Sequence, residues 1–195
     1  MKWQTVSLIA FSGSASLASP IKSTARSGEL DIYTLRISTK SNKSLDGKYL
    51  GESNSTIGVF HGSSAVRIYA VPGRSEAGSN QLVELHTYPI GIVDHALALS
   101  GAGEQLDLVN LVNPAATTSA GGDDTYDWTS FSLDSQPRDA GKPANCVDYS
   151  ADRAGRWVAI PAGNEDEWSV KWQGADGIFT AVNMPIDIVY EKVEV

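Results

Sequence analysis

Ser63 and His61 are the two residues that most resemble a nucleophile with its base. They lie in the stretch Phe60-His-Gly-Ser-Ser-Ala65. A nucleophile on a strained turn requires the pattern G-x-S-x-G between a strand and a helix. This stretch lacks the second glycine and precedes a predicted strand, and closeness in sequence is not the geometry of a dyad. The sequence therefore does not favour a serine hydrolase.

The three histidines are His61, His86 and His95, and none of their spacings is that of a metal motif. The patterns HxH, HxxxH and HExxH are all missing, so transition-metal chemistry has no local support. His86 shares a predicted strand face with Glu84, and we expect it at the surface. We predict neither a metal site nor another cofactor.

One loop combines acidic residues with an indole. Asp123, Asp124 and Asp127 lead directly into Trp128. Carboxylates accept hydrogen bonds from sugar hydroxyls, and an indole offers a flat apolar face with a polar N–H. The acidic residues lack the spacing of a calcium loop, and Trp128 is equally suited to anchoring the loop in the core. These four residues are the predicted ligand-binding residues.

Glycoside hydrolysis would use two carboxyl groups from facing strands. The acidic residues on predicted strands are Glu84, Asp107, Asp134 and Asp187. Each occupies an alternate position that we expect to face solvent. The sequence contains no pattern that pairs two of them, so no catalytic residue is predicted.

Alternation of apolar and polar residues runs along most of the chain. Tyr33, Leu35 and Ile37 alternate with polar residues, and a spacing of two recurs in about ten short segments. Such alternation indicates strands with one buried face. Pairs such as Pro72-Gly73 separate the segments. We predict an all-β fold, an antiparallel two-sheet sandwich of about ten short strands, with a barrel-like or β-trefoil-like fold as the alternative.

The composition of two other segments predicts which of their residues are buried. Trp168, Val170 and Trp172 fall on one face of a strand and are predicted to lie in the core, and the acidic residues 165–167 to form the solvated end of a hairpin. Residues 113–127 contain almost nothing to bury and are predicted to be a long loop.

The N-terminus predicts secretion. Residues 1–18 have a basic start at Lys2, an uncharged apolar run, and small residues suited to cleavage after Ala18. Residues 19–29 are expected to be a flexible leader, and residues 30–195 a single β domain. The sequons Asn42-Lys-Ser44 and Asn54-Ser-Thr56 predict a glycoprotein modified at Asn42 and Asn54.

Charge and cysteine content restrict the partners. The net charge is −8, and removing Lys2 with the signal leaves 14 basic against 23 acidic residues. This balance argues against nucleic acid and anionic membrane as partners. Cys146 is the single cysteine, so no intramolecular disulfide can form. We expect it to be a buried thiol, with a covalent dimer through Cys146 as the less favoured alternative.

Several short stretches carry a resemblance to a known group of proteins. They are Asp31-Ile-Tyr-Thr-Leu-Arg-Ile37, Leu45-Asp-Gly-Lys-Tyr-Leu50 and Gly58-Val-Phe-His-Gly62, followed by Gly155-Arg-Trp-Val158 and the strand around Trp168. These stretches resemble those of a group of small secreted proteins of filamentous fungi. The group has no established activity to carry over. Its members are regarded as effectors or wall-associated proteins, so the resemblance implies a fungal effector or cell-wall protein. Relatives with paired cysteines differ from this chain.

We therefore expect an extracellular, non-catalytic β-protein that binds a protein or a glycan at a host or cell-wall surface. Two alternatives remain open from the sequence. One is a lectin-like, carbohydrate-binding module that uses the loop before Trp128. The other is a secreted hydrolase or isomerase that uses strand carboxylates.

Overall fold

The computed structural model describes residues 30–73, 82–117, 125–136, 141–149, 154–178, 180 and 182–194. The predicted signal peptide and leader lie outside the described residues, as do Asp123 and Asp124. The described part contains fourteen strands and one helical turn, α1 (Pro114–Thr117). The strands are β1 (Tyr33–Ser38), β2 (Gly51–Ser53), β3 (Thr56–Val59), β4 (Arg67–Pro72), β5 (Val83–Tyr88), β6 (His95–Ser100), β7 (Gln105–Val112), β8 (Tyr126–Asp127), β9 (Phe131–Asp134), β10 (Cys146–Tyr149), β11 (Gly155–Pro161), β12 (Trp168–Gly174), β13 (Met184–Pro185) and β14 (Asp187–Lys192).

Six strands close into an antiparallel barrel in the order β5, β4, β1, β14, β10 and β9. The pair Val83–Phe131 joins β5 to β9 and completes the circle. The all-β class and the barrel-like alternative are thus confirmed, and the two-sheet sandwich is wrong. Alternation identifies the buried face of each strand but not its neighbours, and closure depends on pairs from distant parts of the chain, such as β1 with β14.

The remaining strands form a layer outside the barrel. Strand β6 pairs with β5 of the barrel at His86–Ala96. From β6 the pairing order of the layer is β7, β12, β11 and β13. The short strands β2 and β3 pair with each other at this layer, and β8 pairs with β6. The estimate of about ten strands is therefore too low. Strands such as β8 and β13 have two residues each, which is too short for alternation to reveal them.

The core joins the barrel to the outer layer through a chain of aromatic rings. Phe131 contacts Tyr149, Tyr149 contacts Trp172 and Trp172 contacts Trp157, with ring centroids 5.9, 5.3 and 5.2 Å apart. All three contacts are edge-to-face, an arrangement that aromatic quadrupoles favour. Val170 and Trp172 are buried and Trp168 packs at the edge of this core, so the predicted core face of β12 is confirmed. The hairpin from β11 to β12 is confirmed with it.

Parts of residues 113–127 are more ordered than their composition suggests. Pro114 is buried at the start of α1, and Tyr126 and Asp127 add β8 to the sheet by pairing with β6. The expectation of one continuous loop is therefore wrong at both described ends. Backbone pairing, which needs no apolar side chain, explains the difference at β8. Among the described residues, no helix has the length and apolar character needed to cross a membrane.

Candidate functional site

A cleft of about 560 Å³ lies against the outer wall of the barrel. Ser38 of β1 is paired with Asp187 of β14, and Asp148 of β10 follows the pair Val147–Ile188 by one position. Directly opposed residues of an antiparallel pair share a face, so Ser38, Asp187 and Asp148 form one polar row. Val147 and Ile188 are buried in the core, so this row faces outwards and forms the floor of the cleft.

Three cations converge on this floor. Lys40 and Lys142 lie on loops, and Arg156 is exposed near the start of β11. We call the site defined by Ser38, Lys40, Lys142, Asp148, Arg156 and Asp187 the basic cleft. Among the described residues that line it, these three cations face two carboxyl groups, whereas the whole chain carries a net charge of −8. The basic cleft is thus a local concentration of positive charge on an acidic protein.

The two carboxyl groups have different surroundings. The Nζ atom of Lys142 lies 3.7 Å from Oδ2 of Asp148, and the backbone N–H of Tyr149 donates to Oδ1 of Asp148 at 3.0 Å. Asp187 is half-buried, and within the described part of the chain its carboxyl group forms no hydrogen bond or ion pair. Desolvation is the largest effect on the pKa of Asp187 and raises it. The positive charge of Lys142 lowers this pKa, the negative charge of Asp148 raises it, and the charge of Lys40 lowers it.

Hydrogen bonds hold the rim of the basic cleft. The hydroxyl of Thr39 donates to the Pro185 carbonyl at 3.1 Å and lies 2.9 Å from the hydroxyl of Ser41. The buried Trp157 forms a wall, and its indole N–H donates to the Val147 carbonyl at 2.9 Å. Because this bond links β11 of the outer layer to β10 of the barrel, it fixes the width of the cleft. The hydroxyl groups of the rim and the cations of the cleft are suited to holding an anion that carries hydroxyl groups of its own.

The predicted ligand-binding residues are not brought together in this cleft. Asp127 accepts hydrogen bonds from the Tyr149 hydroxyl at 2.6 Å and from the Thr129 backbone N–H at 3.1 Å, so both carboxylate oxygens serve the fold. It borders a separate hollow of about 270 Å³ with Tyr126. Trp128 instead packs edge-to-face on His86, with centroids 6.0 Å apart. Ligand binding by this loop stays a prediction.

His86 is buried, and the expectation of a surface position is wrong. Its ring nitrogens lie 2.9 Å from an Asp94 oxygen and 3.1 Å from a Glu84 oxygen, and Tyr69 stacks on the ring at 5.5 Å. Tyr69 and Trp128 cover the face that alternation assigns to solvent. Since both nitrogens are engaged by carboxyl groups, His86 has no free nitrogen for catalysis or for a metal.

His61 and Ser63, the residues that most resemble a nucleophile with its base, have separate partners in the structure. The Nε2 atom of His61 lies 3.0 Å from the carbonyl oxygen of Glu165, while the hydroxyl of Ser63 donates to the Phe60 carbonyl at 2.9 Å. His61 and Ser63 therefore form no dyad. Within the described ranges, no group of three or more His, Cys, Asp or Glu side chains is arranged to hold a metal ion.

Cys146 is a buried free thiol, as predicted. Its Sγ donates to the Pro143 carbonyl at 3.1 Å, and desolvation foremost raises the pKa of the thiol to about 11. Thiolate is the form that exchanges with disulfides, so a covalent dimer requires this site to open. Asn54 is exposed at the tip of the β2–β3 hairpin, and Asn42 is half-buried with its side-chain oxygen bound to Ser44. Glycosylation at both stays a prediction.

Sequence reasoning identified Asp187 as a strand acid but missed the other charged residues of the basic cleft. Asp148, Lys40, Lys142 and Arg156 come from separate segments, and only strand register brings them together. Comparison of the chain with known protein families, with curated proteins and with solved structures gives no match. The fold and the site thus define an all-β barrel protein with a basic cleft on its wall.

Proposed function

We propose that this is a secreted protein that binds an acidic glycan of a host or cell-wall surface in the basic cleft. The observation that carries the proposal is the convergence of Lys40, Lys142 and Arg156 on one cleft of an acidic chain. Positive charge maintained locally against the net charge of a protein favours an anionic ligand. Secretion rests on the signal-like residues 1–18.

The remaining lining supports a sugar rather than a simple anion. Ser38, Thr39 and Ser41 supply hydroxyl groups, and Asp148 supplies a carboxylate that accepts from sugar hydroxyls. The volume of about 560 Å³ lies within the range of small-ligand pockets. A carboxylate-bearing sugar, such as a uronic acid in a short oligosaccharide, matches both the cations and the hydroxyl groups that line the cleft.

Replacing Lys142 with glutamine should weaken binding of an oligogalacturonate by roughly tenfold, because a charge-assisted hydrogen bond to the ligand is lost. Isothermal titration calorimetry at low ionic strength measures this change. The binding of the wild-type protein should also weaken as salt rises, since the contacts are partly exposed.

Two controls make the test specific. Lys192→Gln removes the same charge from an exposed ion pair with Asp31, outside the basic cleft, and should leave binding unchanged. A methyl-esterified oligogalacturonate of the same length lacks the negative charge and should bind weakly or not at all. Equal binding of both oligosaccharides, or equal loss in both variants, would contradict the proposal.

Binding of the oligogalacturonate should strengthen as pH falls through the raised pKa of Asp187. Desolvation raises the pKa of Asp187 above that of an ordinary aspartate, so its carboxyl group gains a proton at a higher pH, and the cleft then opposes an anion with one carboxylate fewer.

Asp187→Asn is the matched variant for the pH experiment. It should bind more tightly than the wild type wherever Asp187 is ionised, and its affinity should change little as pH falls through the pKa of Asp187. No histidine is among the described residues that line the cleft, so Asp187 is the group expected to cause the pH response. If the wild type and the variant respond equally to pH, Asp187 does not cause that response.

A further inference from the structure

Two carboxyl groups occupy adjacent positions on the floor of the basic cleft. Asp187 and Asp148 lie on β14 and β10, one position past the pair Val147–Ile188. β-Carbons of directly opposed antiparallel residues are about 5 Å apart. Both side chains line the same cleft, so a bound sugar would meet both carboxyl groups at once.

The two carboxyl groups have different surroundings. The carboxyl group of Asp148 lies 3.7 Å from the Nζ atom of Lys142 and accepts a hydrogen bond from the Tyr149 backbone N–H. Asp187 has no such partner in the described part of the chain and is desolvated, which favours its protonated form. Glycoside hydrolysis uses two carboxyl groups at the scissile bond, one as the acid and the other as the nucleophile, and two such groups lie side by side in this cleft.

We infer that the basic cleft hydrolyses the acidic glycan that it binds, with Asp187 as the proton donor and Asp148 as the nucleophile. This inference rests on the proposed binding of an acidic glycan in the same cleft. Lys40 and Arg156 would hold the sugar carboxylates, and thereby place a glycosidic bond over the pair.

Because the two positions are adjacent on neighbouring strands, the reaction we infer is the retaining one, in which a carboxylate attacks directly; inverting enzymes hold their carboxyl groups about 6.5–9.5 Å apart to leave room for a water. In the first step the Asp148 oxygen bonds to the anomeric carbon, the bond to the leaving oxygen breaks, and Asp187 gives that oxygen its proton. In the second step water attacks the anomeric carbon, Asp187 takes the proton of the water, and Asp148 leaves as a carboxylate. The net reaction consumes one water and restores both side chains.

The experiment incubates the full secreted chain with polygalacturonate and with glucuronic-acid-bearing xylan at pH 5. We expect new reducing ends, and proton NMR of the first product should show retained anomeric configuration. Asp187→Asn should keep its binding to the acidic oligosaccharide while cleavage falls by roughly a thousandfold. On an aryl glycoside of the same uronic acid, whose leaving group departs without a proton, azide should restore turnover by this variant and yield a glycosyl azide, because azide attacks the glycosyl-enzyme without the loss of a proton.

Asp107→Asn is the matched control, because Asp107 is a strand acid on β7 that pairs with Lys171 outside the cleft. It should cleave at the wild-type rate. Binding without cleavage by the wild-type protein would overturn the catalytic inference and leave the binding proposal intact, whereas absence of binding would overturn both. Undiminished cleavage by Asp187→Asn, or inversion of configuration, would overturn the assigned roles.

Discussion

Replacing Phe131 with alanine should lower the free energy of unfolding by about 3–5 kcal/mol. Phe131 is completely buried, and it lies at the pair with Val83 where β9 meets β5 and the barrel closes. Its ring also begins the aromatic chain through Tyr149. The substitution therefore removes apolar burial, leaves a cavity, and weakens the contact between barrel and outer layer.

Urea denaturation followed by tryptophan fluorescence measures this loss. Phe131→Leu keeps most of the side-chain volume and should lose less than half as much stability. Ile92→Ala removes an aliphatic side chain that is 107% exposed and should change stability by less than about 0.5 kcal/mol. A loss below about 1 kcal/mol for Phe131→Ala would show that barrel closure does not depend on this ring.

Replacing Gly58 with alanine should lower the free energy of unfolding by about 3 kcal/mol. Gly58 lies in β3 between Gly51 of β2 and Ser169 of β12. A β-carbon at this position would overlap the backbone carbonyl oxygen of Trp168. Because that oxygen belongs to the backbone of a paired strand, relief requires β3 to move away from β12 rather than a side chain to rotate.

The matched control is Gly91→Ala, where the added β-carbon meets its nearest atoms at ordinary van der Waals distances. This variant should differ from wild type by less than about 0.5 kcal/mol. Thermal melts of the two variants side by side give the comparison. Equal melting temperatures would mean that β3 can shift without cost and that the close approach is not structural.

The basic cleft depends on the same architecture that these variants probe. Trp157 links the outer layer to the barrel through its hydrogen bond to Val147, and the aromatic chain runs from Trp157 back to Phe131. A packed core of this kind holds the strands at fixed register. The floor row of Ser38, Asp187 and Asp148 keeps its spacing for that reason.

Local patterns were sufficient for several features. The alternation of apolar residues determined the all-β class and the buried face of β12, and Gly and Pro placed the hairpin between β11 and β12. The surroundings of Cys146 in the sequence were enough to predict a buried thiol. These features depend on neighbours along the chain, which a sequence displays directly.

The burial of His86 could not be predicted from its neighbours along the chain. Alternation predicted that it faces solvent, but Tyr69 and Trp128 cover it, and Asp94 joins Glu84 at its ring. Each of these residues is ordinary in its own segment. His86 is buried because these residues, from separate segments, surround it in the fold. A polar side chain can be buried where its hydrogen bonds are satisfied.

The sequence by itself determined the class of the fold and the buried face of a strand such as β12. Only the tertiary structure decided that the strands close into a barrel and that Lys142, Asp148 and Asp187 share one cleft. The physical reason is register. Side-chain period assigns a residue to a face, whereas its cross-strand neighbour is set by hydrogen-bond pairing between segments far apart in the chain.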